Sequence, residues 1–246
     1  MLILVACVAH HRGDSGTGPD TGTAGAPATL ANCRATQDID VGNDGQVEYR
    51  WFHTFDENGR PTIADGVSKD KKEGVTDSRL AYLYNDDGLL SSKQFDAFAD
   101  GTVDTITNYT YVGGRLSTTD QDNGADGQVD ARTTSTWTDG RMVREELDRG
   151  LDGALDVIIT YDWPDATHRT GEYDTDADGT LDAHAVWTYD VDANELVEDL
   201  DRDRDGMTDS YETTTWGGRH DMRLQAWDDP YDGVADNIAT WEWDCP

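Results

Sequence analysis

The feature that most constrains this chain is a repeat. Asp-Gly pairs ending at Gly101, Gly127, Gly153, Gly179, Gly206 and Gly233 follow a degraded Glu73-Gly74 at steps of 27, 26, 26, 26, 27 and 27 residues. A further pair, ending at Gly45, precedes them by 29 residues. A period of this length marks one supersecondary unit copied along the chain, each copy burying its apolar face against its neighbours. About eight copies fit.

The unit is a β-hairpin. Ten residues after each glycine stands an aromatic side chain: Phe55, Tyr84, Tyr111, Trp137, Trp163, Tyr189, Trp216 and Trp243. Eight residues after it stand His53, Tyr82, Tyr109, Ser135, Tyr161, Trp187, Thr214 and Trp241. Offsets of equal parity fall on one face of a strand, and the intervening residues are mostly Asp, Thr, Arg and Asn. Asn58-Gly59, Asp87-Gly88, Gly113-Gly114, Asp139-Gly140 and Gly217-Gly218 then supply the positive φ of a tight turn. A second strand returns, as in Arg141 to Leu147, and runs into the next acidic loop. The expected fold is all-β, an antiparallel meander of about sixteen short strands. Covering the aromatic face requires the sheet to curl into a barrel or propeller-like ring; an open, twisting repeat sheet is the alternative.

The run Tyr109-Thr110-Tyr111-Val112-Gly113-Gly114-Arg115-Leu116, followed by Asp120, resembles the core of YD repeats in bacterial RHS-type cell-surface proteins. Tyr82-Leu83-Tyr84 with Gly88, and Trp187-Thr188-Tyr189-Asp190, are weaker versions. The resemblance implies a sheet that wraps around. The period here exceeds that family's by about the length of an acidic loop.

Those loops have the pattern of a cation site. In Asp174-Thr175-Asp176-Ala177-Asp178-Gly179, closing with Asp182, alternate carboxylates converge while the glycine permits the bend. Ca²⁺ is a hard cation that takes six to eight oxygens, and D-x-D-x-D-G delivers them from a short segment. Asp201, Asp203, Asp205 and Asp209, with Glu212 where an EF-hand loop carries its bidentate acid, form the fullest copy. The spacing resembles an EF-hand loop, but strand patterning on both sides replaces the flanking helices. Asp122, Asp126 and Asp130 keep three acids around Gly124, as do Asp148, Asp152 and Asp156 around Gly150, and Asp40, Asp44 and Glu48. Phe98 and Pro230 take the middle position in two more copies. Lys69 and Lys71 stand at ligand positions in the second copy, which is therefore expected to hold no metal. The competing reading is that Asp-Gly is good turn chemistry and the acids are merely solvated.

Charge fits both readings. With 51 acidic and 19 basic residues the formal net charge is −32, which excludes nucleic acid and anionic membrane surfaces as partners. A disordered acidic tail does not carry 8 Trp, 10 Tyr and 4 Phe. Salt adaptation scatters acids, whereas these recur at fixed positions.

The chain divides into residues 1–7, a linker over 8–34, and the repeats over 35–246. Leu4-Val5-Ala6-Cys7 resembles a bacterial lipobox, which implies lipidation of Cys7; no Lys or Arg precedes it and the apolar run is short, defects that a start assigned too late would explain. The linker, rich in Gly, Thr and Pro, reads as a tether, and its Arg12-Gly13-Asp14 is too short to signal adhesion. With Cys7 assigned to lipid, Cys33 and Cys245 flank the repeats. They stand either as free thiols or as a bridge, which an exported setting favours and which would bring the array's ends together.

No nucleophile elbow, P-loop, dinucleotide fingerprint or zinc spacing is present, and the six His are dispersed, so no enzyme is expected. The expected role is a non-enzymatic, calcium-binding repeat protein of the bacterial cell envelope, lipid-anchored or secreted. It would meet an unidentified protein or glycan and touch membrane only through its anchor. A glycan-binding module and a fragment of an RHS-like shell are the alternatives.

Overall fold

The computed structural model describes residues 30–69, 75–217 and 221–246. Cys7, nearly all of the linker, Lys71 and the Glu73-Gly74 pair lie outside the described residues. Sixteen strands follow one another: β1 (Arg34–Val41), β2 (Tyr49–Phe55), β3 (Pro61–Ser68), β4 (Ser78–Tyr84), β5 (Leu90–Asp96), β6 (Thr105–Val112), β7 (Arg115–Asn123), β8 (Ala131–Thr138), β9 (Arg141–Arg149), β10 (Val157–Asp162), β11 (His168–Asp174), β12 (Ala183–Tyr189), β13 (Glu195–Asp201), β14 (Ser210–Trp216), β15 (Met222–Asp228) and β16 (Asn237–Asp244). Each pairs antiparallel with its neighbours in sequence, and β1 pairs with β16 to close a barrel. Of the closed and open architectures left by the sequence, the closed one is observed, and it removes every sheet edge.

Seven hairpins join consecutive strands, six of them through tight turns that lie wholly within the described residues. The eighth is split between the two ends of the chain. β1 and β16 pair from Arg34↔Asp244 to Val41↔Asn237, and Cys33–Cys245 occupies the next position of that register, where the other hairpins have their turn. The disulfide therefore stands in for a turn.

The side chains of one face alternate with those of the other along each strand. In β1, Ala35, Gln37 and Ile39 are buried, while Asp38 turns outward to Arg50 of β2 at 2.5 Å. The same outward Arg–Asp pairing recurs as Arg79–Asp65 and Arg132–Asp120, both at 2.6 Å. The inner face carries the aromatics. Trp187 lies across Gly171 of β11, where a Cβ would come within 2.8 Å of its ring, so only glycine admits the indole there. The Arg169 guanidinium sits 4.0 Å from the centre of that same indole and 5.0 Å from the Tyr161 ring, a cation–π contact inside the wall.

A β-bulge recurs just before the aromatic residue ten places after the loop glycine, as at Thr54/Phe55, Leu83/Tyr84, Thr110/Tyr111, Thr136/Trp137, Thr188/Tyr189 and Thr215/Trp216. A bulge interrupts the ladder and leaves backbone groups to be satisfied elsewhere. The aromatic of the following hairpin supplies the donor. Tyr84 Oη donates to the Pro61 carbonyl at 2.9 Å and Tyr111 Oη to Leu90 at 2.9 Å. Trp137, Trp163, Trp216 and Trp243 Nε1 donate to Leu116, Met142, Glu195 and Met222 at 2.7–2.9 Å. Phe55, beside the seam, has no donor and packs its ring 5.1 Å from Trp243 instead.

Candidate metal centre

In an antiparallel meander the connections alternate between ends, so the tight turns and the disulfide occupy one rim and the acidic loops the other. Seven of those loops share one construction. In Asp174–Asp182, Asp174 accepts the backbone N–H groups of Asp178 (3.0 Å) and Gly179 (2.9 Å). Asp178 accepts from Thr180 at 2.7 Å, and Asp182 reaches back to the N–H of Thr175 at 2.6 Å. The Thr175 hydroxyl, which also donates to Asp182 at 2.6 Å, holds the Asp182 carboxyl below its ordinary pKa together with that N–H. The fourth residue adopts positive φ in six of the seven loops (Asn43, Ala99, Ala125, Leu151, Ala177, Arg204), and the sixth is always glycine with φ between 84° and 92°.

Acids at the first, fifth and ninth positions are thus fixed as acceptors for loop amides. The same bonds appear for Asp40, Asp44 and Glu48, for Asp96, Asp100 and Asp104, for Asp122, Asp126 and Asp130, and for Asp228, Asp232 and Asp236. Asp148, Asp152 and Asp156 repeat all but the bond to the fifth amide. Turn closure therefore accounts for most of the acidic pattern without a metal.

The third position is where the loops differ. Gly42, Gly124 and Gly150 adopt positive φ there, and each donates its N–H to the ninth-position carbonyl of the preceding loop (Asp236, Asp104 and Asp130) at 2.6 Å. Asp176 and Asp203 place a further carboxylate there instead. The geometry follows: Asp174, Asp176 and Asp182 bring one oxygen each within 4.8 Å of one another, as do Asp201, Asp203 and Asp209. Asp40, Asp44 and Glu48 do so as well. Two oxygens that each lie about 2.4 Å from one Ca²⁺ are no more than about 4.8 Å apart, so all three groups meet the spacing requirement.

The remaining sequence candidates lie outside these triads. Asp178 and Asp205 turn to the amides of Thr180 and Met207. Asp122, Asp126, Asp130, Asp148, Asp152 and Asp156 share the loop frame, but their carboxylates are not among the convergent groups. Glu212 is in β14, which begins at Ser210. It pairs across the sheet with Glu198 and Trp227, and its carboxylate accepts from Gln225; burial raises its pKa. The EF-hand spacing breaks here because the chain becomes a strand one residue after Asp209.

In the third triad Asp201 Oδ1 is buried and accepts no hydrogen bond. Its other oxygen takes the Gly206 N–H at 2.9 Å, while the Asp205 N–H goes to Asp203 at 3.1 Å. Asp148 Oδ1 is buried without a donor too, but no further carboxylates converge on it; in the third triad Asp203 and Asp209 do, and a buried carboxylate oxygen without a donor is costly unless a cation is present, so that donor set fits a hard divalent ion.

No family model matches the sequence, and no curated protein matches it. Among solved structures, the chain is similar to a porin-like protein from Bacteroides uniformis, at 14% identity over 89% of this chain and 98% of that one, with a TM-score of 0.55. That likeness is one of fold. A TcdB2–TccC3 structure aligns at 11% identity over 82% of this chain and 13% of its own, with a TM-score of 0.35. The Tc holotoxin pore of Photorhabdus luminescens aligns at 11% over 82% and 15%, with a TM-score of 0.28. Both scores are too low to carry an argument.

Proposed function

We propose that this chain is a non-enzymatic, calcium-binding β-barrel of the bacterial cell envelope, held by a lipid on Cys7 and serving structure or adhesion. The observation that carries the calcium reading is the donorless, buried Oδ1 of Asp201 within the Asp201–Asp203–Asp209 triad. The Asp174–Asp176–Asp182 triad is its second site. The Cys33–Cys245 bridge and the lipobox-like Leu4–Cys7 stretch support an exported setting. The barrel does not cross the bilayer in this reading: a spanning strand needs an apolar outward band, and the outward faces here carry Arg–Asp pairs.

Calcium that binds only the folded state raises stability by mass action. The melting temperature is expected to rise with millimolar Ca²⁺ and fall with chelator. Asp176→Asn together with Asp203→Asn should remove most of that shift. A melting curve indifferent to Ca²⁺ would reduce the acids to turn formers. Stacking on sugars needs solvent access, and the inner aromatics Tyr82, Trp187 and Trp241 are buried, which favours the structural role over a glycan-binding module; sugar binding on a glycan array would promote the latter.

A further inference from the structure

Large apolar side chains crowd one sector of the loop rim. Three neighbouring loops meet there, 201–209, 228–236 and 40–48, and their backbones are tied together. Tyr231 donates its N–H to the Asp209 carbonyl at 2.8 Å, Gly42 to the Asp236 carbonyl at 2.6 Å, and the Asn43 side chain to the Ala235 carbonyl at 3.0 Å. The crest of this sector exposes Met207, Tyr231, Val234, Val41 and Val47, with Tyr49 where β2 begins. Met207 is 66% exposed and Val234 63%. Among the described residues, loop 174–182 exposes Leu181 alone and loop 122–130 exposes no large apolar side chain. The loop frame does not call for these side chains. Met207 and Val234 occupy the seventh position, which holds Gln46, Thr102, Gln128, Ala154 or Thr180 in the other loops.

The same three loops carry eleven acidic residues and two arginines. Both arginines are engaged: Arg202 pairs with Asp229 of the neighbouring loop, and Arg204 with Glu172 on β11. Lys69, which reaches in from the β3–β4 loop, is bonded to Glu48 at 2.6 Å. Asp44, Asp203, Asp205 and Asp232 stand exposed among the apolar side chains. An exposed apolar cluster rimmed by polar groups marks a protein-docking surface, and the sign of its charge selects the partner. A second copy would bring like charges face to face, so the surface works against self-association.

We propose that this sector of the rim is a docking surface for a cationic polypeptide segment that carries apolar side chains. Lysine or arginine of that segment meets the exposed carboxylates, and its apolar side chains cover Met207, Tyr231 and Val234. The inference goes beyond the adhesive reading by naming the partner's chemistry, and it stands independently of calcium.

Fluorescence anisotropy of a labelled peptide of lysine and leucine, titrated with the full chain in chelator, tests this. The wild type is expected to bind it about tenfold or more tightly than an all-lysine peptide. Met207→Ser, Tyr231→Ser and Val234→Ser together should weaken that binding by about tenfold or more. Val234→Lys, a single exposed change, should weaken it in the same direction. Leu83→Ser with Val112→Ser, at exposed apolar positions on the outer wall and the opposite rim, should leave it unchanged. Equal affinity for the two peptides, undiminished affinity in the triple variant, an equal loss in the Leu83–Val112 variant, or no binding at all would overturn the proposal. So would a wild-type dimer that the triple variant abolishes, which would make the sector a contact between copies.

Discussion

His53 gives the barrel a measurable response to mild acid. Its ring faces inward on β2, opposite Ala35 of β1 and Ala64 of β3, and its Nε2 lies 3.2 Å from Gln37 Oε1. Burial lowers its pKa to about 4, from an ordinary value of 6.5. The folded state therefore holds the ring neutral over a range in which the unfolded chain protonates it. The resulting stability is complete above pH 6.5, declines as pH falls, and is fully lost below about pH 4. Linkage over that gap amounts to about 3 kcal/mol in total, of which about 2 kcal/mol is lost between roughly pH 7.5 and 5. Urea denaturation of the wild type and His53→Gln over that range isolates the effect, because glutamine keeps a hydrogen-bonding side chain and does not titrate. The wild type should lose about 2 kcal/mol more than the variant. Parallel loss in both proteins would show that His53 is solvated in the folded state and would refute the reasoning.

Two further perturbations probe the closure and the aromatic ladder. Cys33→Ser with Cys245→Ser should lower the unfolding free energy by up to roughly 5 kcal/mol, the chain-entropy value for a bridge across 212 residues; denaturant titration under oxidising conditions reads it, and unchanged stability would contradict the turn-replacing role. Trp137→Phe removes the donor to the Leu116 carbonyl and should cost about 1 kcal/mol or somewhat more, whereas Phe55→Tyr, at the position without such a bond, should change stability much less.

Much of this architecture is legible in the sequence because it depends on periodicity. The parity of Tyr109 with Tyr111, or of Trp241 with Trp243, places the aromatics on one face, and Cys33 and Cys245 flank the repeats symmetrically enough to suggest closure. Other features depend on contacts that a linear pattern does not encode. The bulge before six of the eight aromatics arises from the match between a short turn and two paired strands, so the donor ladder from Trp137 to Leu116 is invisible until the strands are placed. Glu212 has the right spacing for a ligand but falls three residues past Asp209, where the chain has already become a strand and the residue's partners are those of the sheet. Lys69, read within its own loop, marks that loop as inactive, although its side chain acts on Glu48 of the preceding one. Contacts between adjacent copies are what a reading confined to one copy misses.

The divided eighth hairpin also orders assembly in time. Each of the other seven pairs strands that are close in sequence, so each can zip as soon as its turn has been made. β1 must instead wait for β16, with its buried Ala35, Gln37 and Ile39 left uncovered on that side until nearly the whole chain exists. Among the described strands, ring closure is thus the one pairing of long sequence separation, and the entropy of that search falls on a single, final event.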